Sequence, residues 1–321
     1  VLSDIKALVK SKGSWMNERN MLQAEVPDGC KIIRNRYGTA PVMWFEKDET
    51  VYISLPAVPF EMKTLMKESV IPEIINRFER PEIVHRTVLT YGLPESRLAE
   101  LISDWEQNLD KKIKLAYLPS PERIRLRLSI ICKEKLKAEK LIDSEIEKLQ
   151  SYIKEEIFGY GDLFLQDILK NLFISKNKTL SVAESCTGGK IASLLVSVPG
   201  SSEYFKGGIV AYSDEIKNKV LNVPKEILKK YGAVSKETVE YMLKGQKALY
   251  QTDYAAAVSG IAGPGGGTKE KPVGTVWIGV MNDEKTVVKK YTFGKLRDVN
   301  IRLSCSKTLD MIRRLLLGYY D

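Results

Sequence analysis

Strand patterns and helix patterns alternate from residue 160 to residue 321, and this alternation constrains the fold more than any other feature of the sequence. Short apolar runs predict five strands, separated by longer stretches whose apolar residues have helical spacing or by tight turns. The predicted strands are 179–183, 208–212, 254–258, 274–280 and 286–293. Such an order is typical of a layered α/β sheet, in which sites lie at the strand ends.

Upstream, residues 81–157 predict a small α+β unit with the order β-α-β-β-α, which is the arrangement of a KH-like domain. Strands are predicted at 83–89, 112–117 and 124–132, and a long helix over 134–157. A KH module that binds RNA clamps the backbone with a GxxG loop. Because no glycine lies between Gly92 and Gly159, nucleic-acid binding is disfavoured and a spacer or dimerisation role is favoured.

The first 80 residues mix a strand at 51–55 with a helical stretch at 61–78, and Pro81 then breaks the pattern. We therefore expect three domains in the 321 residues, with bounds 1–80, 81–157 and 158–321. The expected fold is a multidomain α/β chain whose C-terminal layered sheet follows the KH-like domain and an α/β domain.

Composition excludes several classes of site. The only histidine is His85, so HExxH and Cys2His2 zinc sites cannot be built. The four cysteines lie far apart, as expected of reduced thiols in a cytoplasmic protein, and no metal site is predicted from them. The sequence contains no run of 18 apolar residues, so no membrane span is predicted. The sequence lacks a secretory pattern and an initiator Met, so we expect a cytoplasmic chain that is a fragment of a longer protein.

The basic excess belongs to the C-terminal half. Residues 151–321 contain 25 Lys and Arg against 18 Asp and Glu, so 7 of the 9 net positive charges lie there. This bias suits an anionic ligand without identifying it.

Ser185 is the first candidate nucleophile, because it lies in a strand-turn-helix junction rich in small residues. Gly188 and Gly189 allow close approach, and free amides at a helix N-terminus would stabilise an oxyanion or a phosphate. Two alternatives stay open at this point: Ser185 only caps the helix, or Cys186 is the nucleophile.

A nucleophilic serine needs a base, and no histidine follows residue 85. The base must then be Lys, Tyr, Asp or Glu. Tyr212 is predicted at a strand end and Lys217 in the first turn of a helix that Ser213 caps. The helix dipole and partial burial would both depress the pKa of Lys217. The alternative is a solvated lysine on a basic helix.

The segment 259–267 contains five glycines in nine positions and follows a predicted strand. Such a loop can hold a phosphate with its backbone amides, although it is neither a Walker motif nor GxGxxG. A tight corner is the alternative. Arg297 and Arg302, near the start of the last helix, are candidates for a bidentate contact with a phosphate.

Six blocks in the C-terminal half resemble those of the CinA family, in its C-terminal domain. They are AESCTGG at 183–189, PGSS at 199–202, GGIVAYS at 207–213, YGAVS at 231–235, SGIAGPGG at 259–266 and PVGTV at 272–276. The resemblance covers about 150 residues and implies an amidohydrolase that converts nicotinamide mononucleotide (NMN) to nicotinate mononucleotide and ammonia.

The resemblance implies Ser185 as nucleophile, Lys217 as base and Tyr212 as a residue that relays or orients the proton. Ser259 stands where many relatives have Thr, and the hydroxyl remains. No metal or other cofactor is implied for this reaction. The residues expected to contact the substrate, from the residues and the resemblance together, are Thr187, Gly188, Gly189, Ser202, Ser259, Gly260, Gly263, Gly265, Arg297 and Arg302.

The N-terminal stretch is similar to the tail of the family's other domain, which resembles molybdopterin-binding folds and has nucleotide pyrophosphatase activity on ADP-ribose. The similar segments are MNERN at 16–20, GTAP at 38–41 and LPAVPFEM at 55–62. Val42 and Ala57 stand where relatives often have Gly. The front half of that domain, with its GGLGPTxDD loop, is not in the sequence, so we do not expect this activity from these 321 residues.

Two alternative functions stay open. One is metal-dependent cleavage of ADP-ribose, for which an intact N-terminal domain would use a divalent metal. The other is a binding protein associated with competence. The partners that the resemblance implies are a pyridine nucleotide and a second copy of the chain in a homodimer; a membrane and nucleic acid are not expected.

Overall fold

The computed structural model describes residues 1–11, 13–78, 81–120 and 123–320. The chain forms two compact units, Val1–Pro81 and Glu82–Asp321. The predicted domain boundary at 80 adjoins residues 79 and 80, which lie outside the described residues. The fold is mixed α/β, as predicted, and the described residues form three sheets. In the described ranges, no helix is long and apolar enough to cross a membrane.

The first unit contains one antiparallel sheet with the strand order β1-β2-β3. Its elements are α1 (Leu2–Ser11), α2 (Glu18–Leu22), β1 (Lys31–Ile33), β2 (Val42–Lys47), β3 (Thr50–Ser54), α3 (Pro59–Leu65) and α4 (Ile71–Arg77). A π-helical turn, Met66–Val70, joins α3 to α4, so the predicted helical stretch is present. Val42, Trp44, Leu65 and Val70 form its core.

The second unit begins with a four-stranded antiparallel sheet of order β5-β6-β4-β7. Its elements are β4 (Glu82–Thr90), α5 (Glu95–Leu101), α6 (Ser103–Gln107), β5 (Lys114–Ser120), β6 (Arg123–Cys132), α7 (Lys135–Ile153) and β7 (Ile157–Tyr160). Alternate residues of β6, among them Leu126 and Leu128, pack with Ile142 and Leu149 of α7. This is the predicted β-α-β-β-α order with one strand added.

That added strand corrects the prediction of a helix over 134–157, which is wrong beyond Ile153. Ile157 and Phe158 favour strand structure, and β7 pairs with the buried end of β4. Packing explains the glycine at position 159, because a Cβ there would lie 3.0 Å from Ile168 Cδ1. β7 crosses residue 157, where the second predicted domain ends.

The rest of the second unit is built on a five-stranded sheet of order β12-β11-β10-β8-β9. Strands β9, β8 and β10 are parallel, and β11 and β12 are antiparallel to their neighbours. The strands are β8 (Leu180–Glu184), β9 (Phe205–Val210), β10 (Tyr254–Gly260), β11 (Thr275–Met281) and β12 (Thr286–Thr292). The apolar runs of the sequence predict all five of these strands, but β9 ends at Val210, so Tyr212 lies two residues beyond the strand and not at its predicted end.

Helices cover both faces of this sheet. They are α8 (Leu165–Ser175), α9 (Lys190–Val196), α10 (Asp214–Leu221), α11 (Lys225–Tyr231), α12 (Lys236–Tyr250) and α13 (Arg297–Leu316). Leu169, Leu195 and Leu309, from α8, α9 and α13, pack on one face of the sheet. Leu221 of α10 and Leu243 of α12 pack on the other. The sequence pattern predicts all of these helices except α11.

The chain path creates a crevice at one edge of the sheet. After β8 the chain moves to β9 on one side, and after β9 it returns to β10 on the other side of β8. In open α/β sheets, ligands bind outside the carboxyl ends of the strands where the connections diverge in this way. The residues that follow β8, β9 and β10 are therefore the place to look for a site.

At the other end of the domain, α13 contains a buried ion pair. The side chains of Arg313 and Asp310 are 1% and 5% exposed, and Arg313 Nη2 lies 2.7 Å from Asp310 Oδ1. The same guanidinium donates to the carbonyls of Glu155 and Ile157, at the end of the KH-like sheet. Asp310 also accepts a hydrogen bond from Arg314. The pair therefore holds α13 against β7 and the residues before it.

We predict that Asp310→Asn lowers the free energy of unfolding by about 3–5 kcal/mol, because it leaves the buried Arg313 charge uncompensated. Urea denaturation measures the change. Glu215→Gln is the matched control, because it removes an exposed i,i+4 partner of Lys219 and should cost about 0.5 kcal/mol or less. An Asp310→Asn loss no larger than the control's would contradict the structural role of this pair.

Candidate active site

Ser185 is the first residue after β8, at the centre of the crevice. Its amide donates to the carbonyl of Val258 on β10 (3.0 Å), and on the other side the Ala211 amide donates to the carbonyl of Glu184 (2.7 Å). Both neighbouring strands thus fix the backbone around it. Ser185 is 7% exposed, so its hydroxyl faces an interior space.

Lys217 lies on α10 and reaches the same space. Ser213 caps this helix as predicted, since its hydroxyl accepts from the Ile216 amide (3.2 Å). Lys217 Nζ donates a hydrogen bond to Ser185 Oγ at 3.2 Å, and the residue is 1% exposed. The alternative of a solvated lysine is therefore wrong.

Burial controls the charge of this amine. Desolvation lowers the pKa of Lys217 from its ordinary value, and the Asp214 carboxylate, 3.9 Å away, opposes the shift in part. Asp214 is exposed, so water screens its charge. A larger fraction of neutral amine is thus present near pH 7 than in a free lysine, and a neutral amine can accept the hydroxyl proton.

Tyr212 contacts the site in two ways. Its carbonyl accepts a hydrogen bond from Lys217 Nζ (3.3 Å), which helps to aim the amine at Ser185. Its phenol is 61% exposed and accepts from Arg297 Nη2 at 3.4 Å. The described contacts therefore place the backbone of Tyr212, and not its ring, against the amine. The proton-relay role stays a prediction.

Cys186 is the rival nucleophile, and its surroundings suppress the thiolate. Burial, aided by the nearby Glu184 carboxylate, raises the pKa of the Cys186 thiol to about 12. Since the thiolate is the nucleophilic form, the Cys186 thiol is almost unreactive near pH 7.

Glu184 is a residue of the site that sequence reasoning missed. Its carboxylate accepts from the amides of Gly189 (3.1 Å), Ile191 (3.1 Å) and Ala192 (2.8 Å) at the start of α9. The expectation that this helix end presents free donors is therefore wrong. The signal was an acidic residue at the end of a strand, five residues before the N-cap of a helix, whose N-terminus stabilises a negative charge.

The turn between β8 and α9 needs its glycines. Gly188 and Gly189 have φ of +60° and +92°, values that residues with a side chain rarely adopt. Gly188 donates its amide to the Ser185 carbonyl (3.1 Å), which closes the turn. The amide of Thr187 is not among the donors of these bonds, and its buried hydroxyl has no partner among the described residues.

The glycine-rich segment after β10 is held next to this turn. Ser259 is buried and donates to the carbonyl of Ala233 (2.7 Å). Arg297 donates to the Gly263 carbonyl (2.8 Å), so one guanidinium contacts both this segment and Tyr212. Gly260 is required by packing, since a Cβ would lie 2.6 Å from Val276 Cγ2, whereas Gly265 has open space around it.

Asn300 is a second residue that the sequence reasoning missed. It is fully buried on α13 and donates to the carbonyls of Ala262 (2.9 Å) and Gly294 (3.0 Å). It therefore fixes the glycine-rich segment to the helix. The sequence could not predict these contacts, because the Asn300 side chain bonds to carbonyls that lie 38 and 6 residues away along the chain.

Two residues that were predicted to contact the substrate, Ser202 and Arg302, have no described contact with Ser185 or Lys217. Ser202 is exposed on a short 3₁₀ turn, Ser201–Glu203, and no contact with Ser185 is recorded within the described chain. Arg302 lines a different cavity, and the residues described around that cavity do not include Ser185, Lys217 or Tyr212. Within the described ranges, no group of three His, Cys, Asp or Glu residues is arranged to hold a metal ion.

The fold and the site together define a class of protein. It has a KH-like antiparallel sheet followed by an α/β sheet with a buried serine–lysine pair at its strand divergence. Comparison with protein-family models agrees with this: the CinA C-terminal domain matches residues 163–316, and the damage-inducible protein CinA KH domain matches residues 85–159.

The chain belongs to the CinA family. It is 43% identical to a CinA-like protein of Cytophaga hutchinsonii over 318 residues, 98% of this chain and 76% of that protein. It is 45% identical to a CinA-like protein of Flavobacterium psychrophilum over 303 residues, 94% of this chain and 72% of that protein. Among solved structures, it is similar to the competence/damage inducible protein CihA of Agrobacterium tumefaciens, with 34% identity and a TM-score of 0.46 over 47% of this chain and 93% of that one.

The buried amine makes stability depend on pH. The unfolded chain keeps its proton on Lys217 up to an ordinary pKa of 10.5, whereas the folded protein releases it at lower pH. Lys217 therefore costs stability near neutral pH, and this cost disappears as the pH rises to 10.5. Each unit by which the folded pKa is lowered corresponds to about 1.4 kcal/mol.

We predict that the free energy of unfolding of Lys217→Met, minus that of the wild type, falls as the pH rises through the lowered pKa of the folded protein towards the unfolded pKa of 10.5. Urea denaturation at several pH values measures the difference. Lys219→Met, at an exposed position on the same helix, is the control and should change stability by about 0.5 kcal/mol or less. A Lys217→Met difference that stays constant or grows would contradict a neutral buried amine.

Proposed function

We propose that the C-terminal α/β domain is an amidohydrolase that converts NMN to nicotinate mononucleotide and ammonia through an acyl-enzyme. The observation that carries the proposal is the 3.2 Å hydrogen bond between the buried Lys217 amine and Ser185 Oγ, in a part of the chain without histidine. This geometry supports a nucleophile with its base in hydrogen-bond reach. The resemblance to the CinA family suggests the substrate.

In the first half-reaction, Ser185 Oγ attacks the carboxamide carbon while Lys217 Nζ takes the hydroxyl proton. The C–N bond of the tetrahedral intermediate then breaks, and Lys217 returns the proton to the nitrogen that leaves as ammonia. An ester between Ser185 and the nicotinoyl group remains. The lowered pKa of Lys217 suits both steps, because the same amine must be neutral to accept the proton and acidic enough to return it.

In the second half-reaction, water attacks the ester carbon and Lys217 takes a proton from it. Collapse of this intermediate releases the nicotinate product and gives the proton back to Ser185 Oγ. The balance is one amide and one water consumed, and one carboxylic acid and one ammonia formed. None of these steps requires a metal from this chain.

The oxyanion needs donors that the fold leaves available. The amides of Gly188, Gly189, Ile191 and Ala192 already donate within the turn or to Glu184. The Thr187 hydroxyl, two residues after Ser185, is buried and has no partner among the described residues, so it and the Thr187 amide are candidate donors. One preorganised donor of this kind contributes about 10²–10³ in rate.

The phosphate of the substrate is assigned to Arg297 and the glycine-rich segment. Arg297 is exposed at the mouth of the site, where it contacts Tyr212 and Gly263. A guanidinium can bind a phosphate with two hydrogen bonds, and the net positive charge of this half of the chain supports an anionic substrate. A cytoplasmic homodimer, as the resemblance implies, is part of the proposal.

We predict that Ser185→Ala and Lys217→Met each lower kcat for ammonia release from NMN by about 10³-fold or more, because neither nucleophile nor base can act alone. The assay is run in EDTA, with nicotinate mononucleotide detected by mass spectrometry. Ser193→Ala, an exposed serine on α9, is the control and should keep wild-type turnover. Wild-type turnover in Ser185→Ala would refute the assignment of the nucleophile.

We predict that Arg297→Gln raises KM for NMN by about 10-fold to 100-fold, since it removes a charged hydrogen-bond donor to the phosphate. The same variant should alter KM for nicotinamide riboside, which lacks the phosphate, by much less. The two KM values are measured side by side with the ammonia assay. Equal losses for both substrates would show that Arg297 does not recognise the phosphate.

A further inference from the structure

A cavity whose described lining does not include Ser185, Lys217 or Tyr212 lies where the KH-like sheet meets the helices of the α/β domain. Its volume is about 210 Å³. It is enclosed by β6, β7, the start of α8, α9 and α13. We call it the basic cavity, and its cations are Arg123, Lys190 and Arg302.

The charges around the basic cavity have one sign. Arg123, Lys190 and Arg302 come from three different elements, and no acidic residue is among the described residues that line the cavity. Ion pairs are recorded elsewhere on α13 but, in the described ranges, not for Arg302 or Lys190. Arg302 and Lys190 converge here with no carboxylate among the described lining residues, which makes the space attractive to an anion.

The two arginines are held in different ways. Arg123 stacks on the Phe164 ring, with the guanidinium carbon 4.3 Å from the ring centroid, and donates to the Leu163 carbonyl. It is therefore preorganised at the edge of the cavity. Arg302 Nε is buried and has no hydrogen-bond partner in the described part of the chain. A buried donor without an acceptor is costly, and the oxygen of a ligand would satisfy it.

The remaining surface sets the size and character of the ligand. Phe158, Leu194 and Leu309 supply an apolar wall. Sites for drug-sized ligands occupy roughly 300–1,000 Å³, so a cavity of 210 Å³ suits a smaller molecule. An inorganic anion alone would leave this wall uncovered.

We infer that the basic cavity binds a small organic anion, a phosphate monoester or a carboxylate, whose aromatic or short alkyl group packs on the apolar wall. The anionic group pairs with Arg302 and Lys190, and Arg123 closes one side. The site is separate from the proposed amidase site and does not depend on that activity.

Isothermal titration calorimetry of the full chain tests the inference with four probes. Phenyl phosphate and benzoate carry both the charge and the ring, inorganic phosphate carries the charge alone, and benzyl alcohol carries the ring alone. We expect one of the two aromatic anions to bind measurably tighter than either partial probe. The preferred anion distinguishes a phosphate monoester from a carboxylate.

Variants locate the binding. Arg302→Gln and Lys190→Gln should each weaken the preferred anion about 10- to 100-fold, as expected for loss of a charged hydrogen bond. Lys190 is exposed, so its substitution tests the site even if Arg302→Gln folds poorly. Arg127→Gln, at an exposed position on β6 outside the cavity, is the matched control and should bind as the wild type does.

Arg297→Gln separates this inference from the proposed function. If the anion binds in the basic cavity, Arg297→Gln retains the wild-type affinity. Absence of millimolar binding for both aromatic anions would overturn the inference. It would also be overturned by a loss of binding in Arg297→Gln together with unchanged binding in Arg302→Gln and Lys190→Gln.

Discussion

The burial of one lysine amine is the constraint on which the rest of the α/β domain depends. An ammonium group that is 1% exposed is expensive to desolvate, so the fold must supply acceptors and favour the neutral form. Lys217 has the Ser185 hydroxyl at 3.2 Å and the Tyr212 carbonyl at 3.3 Å. The amine and the hydroxyl thus meet where β8 and β9 end, and the burial that lowers the pKa of Lys217 increases the neutral fraction of the amine.

The chain connections diverge on either side of β8, and this explains why the position of Ser185 beside Lys217 could be predicted from the sequence. Ser185 and Tyr212 follow strands whose apolar runs are plain, Ser259 lies near the end of a third, and parallel strands bring such positions to one edge. Ser213 gave a cap that the structure confirms. The local sequence pattern was therefore enough to predict these strands, this helix and the residues at their ends.

Other features depend on contacts that no local pattern contains. The helix predicted to reach residue 157 stops at Ile153, because the following residues pair with β4, a strand about 70 residues earlier. Arg297 and Arg302 look alike in sequence, yet one contacts Gly263 and the other lines the basic cavity. Five residues on a helix correspond to a rotation of about 140°, so the two side chains leave α13 in different directions.

Glu184 has a consequence for how such a domain can change its specificity. Its carboxylate accepts from the amides of Gly189, Ile191 and Ala192 at the start of α9, so these three donors are satisfied before a ligand arrives. In the proposed function, recognition of the substrate's charge is thereby left to side chains on α13 and to the glycine-rich segment, which are separate pieces of the chain. In the proposed amidase, mutations in these pieces would therefore change which acyl compounds enter the crevice while Ser185 and Lys217 keep their positions, so new preferences could evolve without rebuilding the pair.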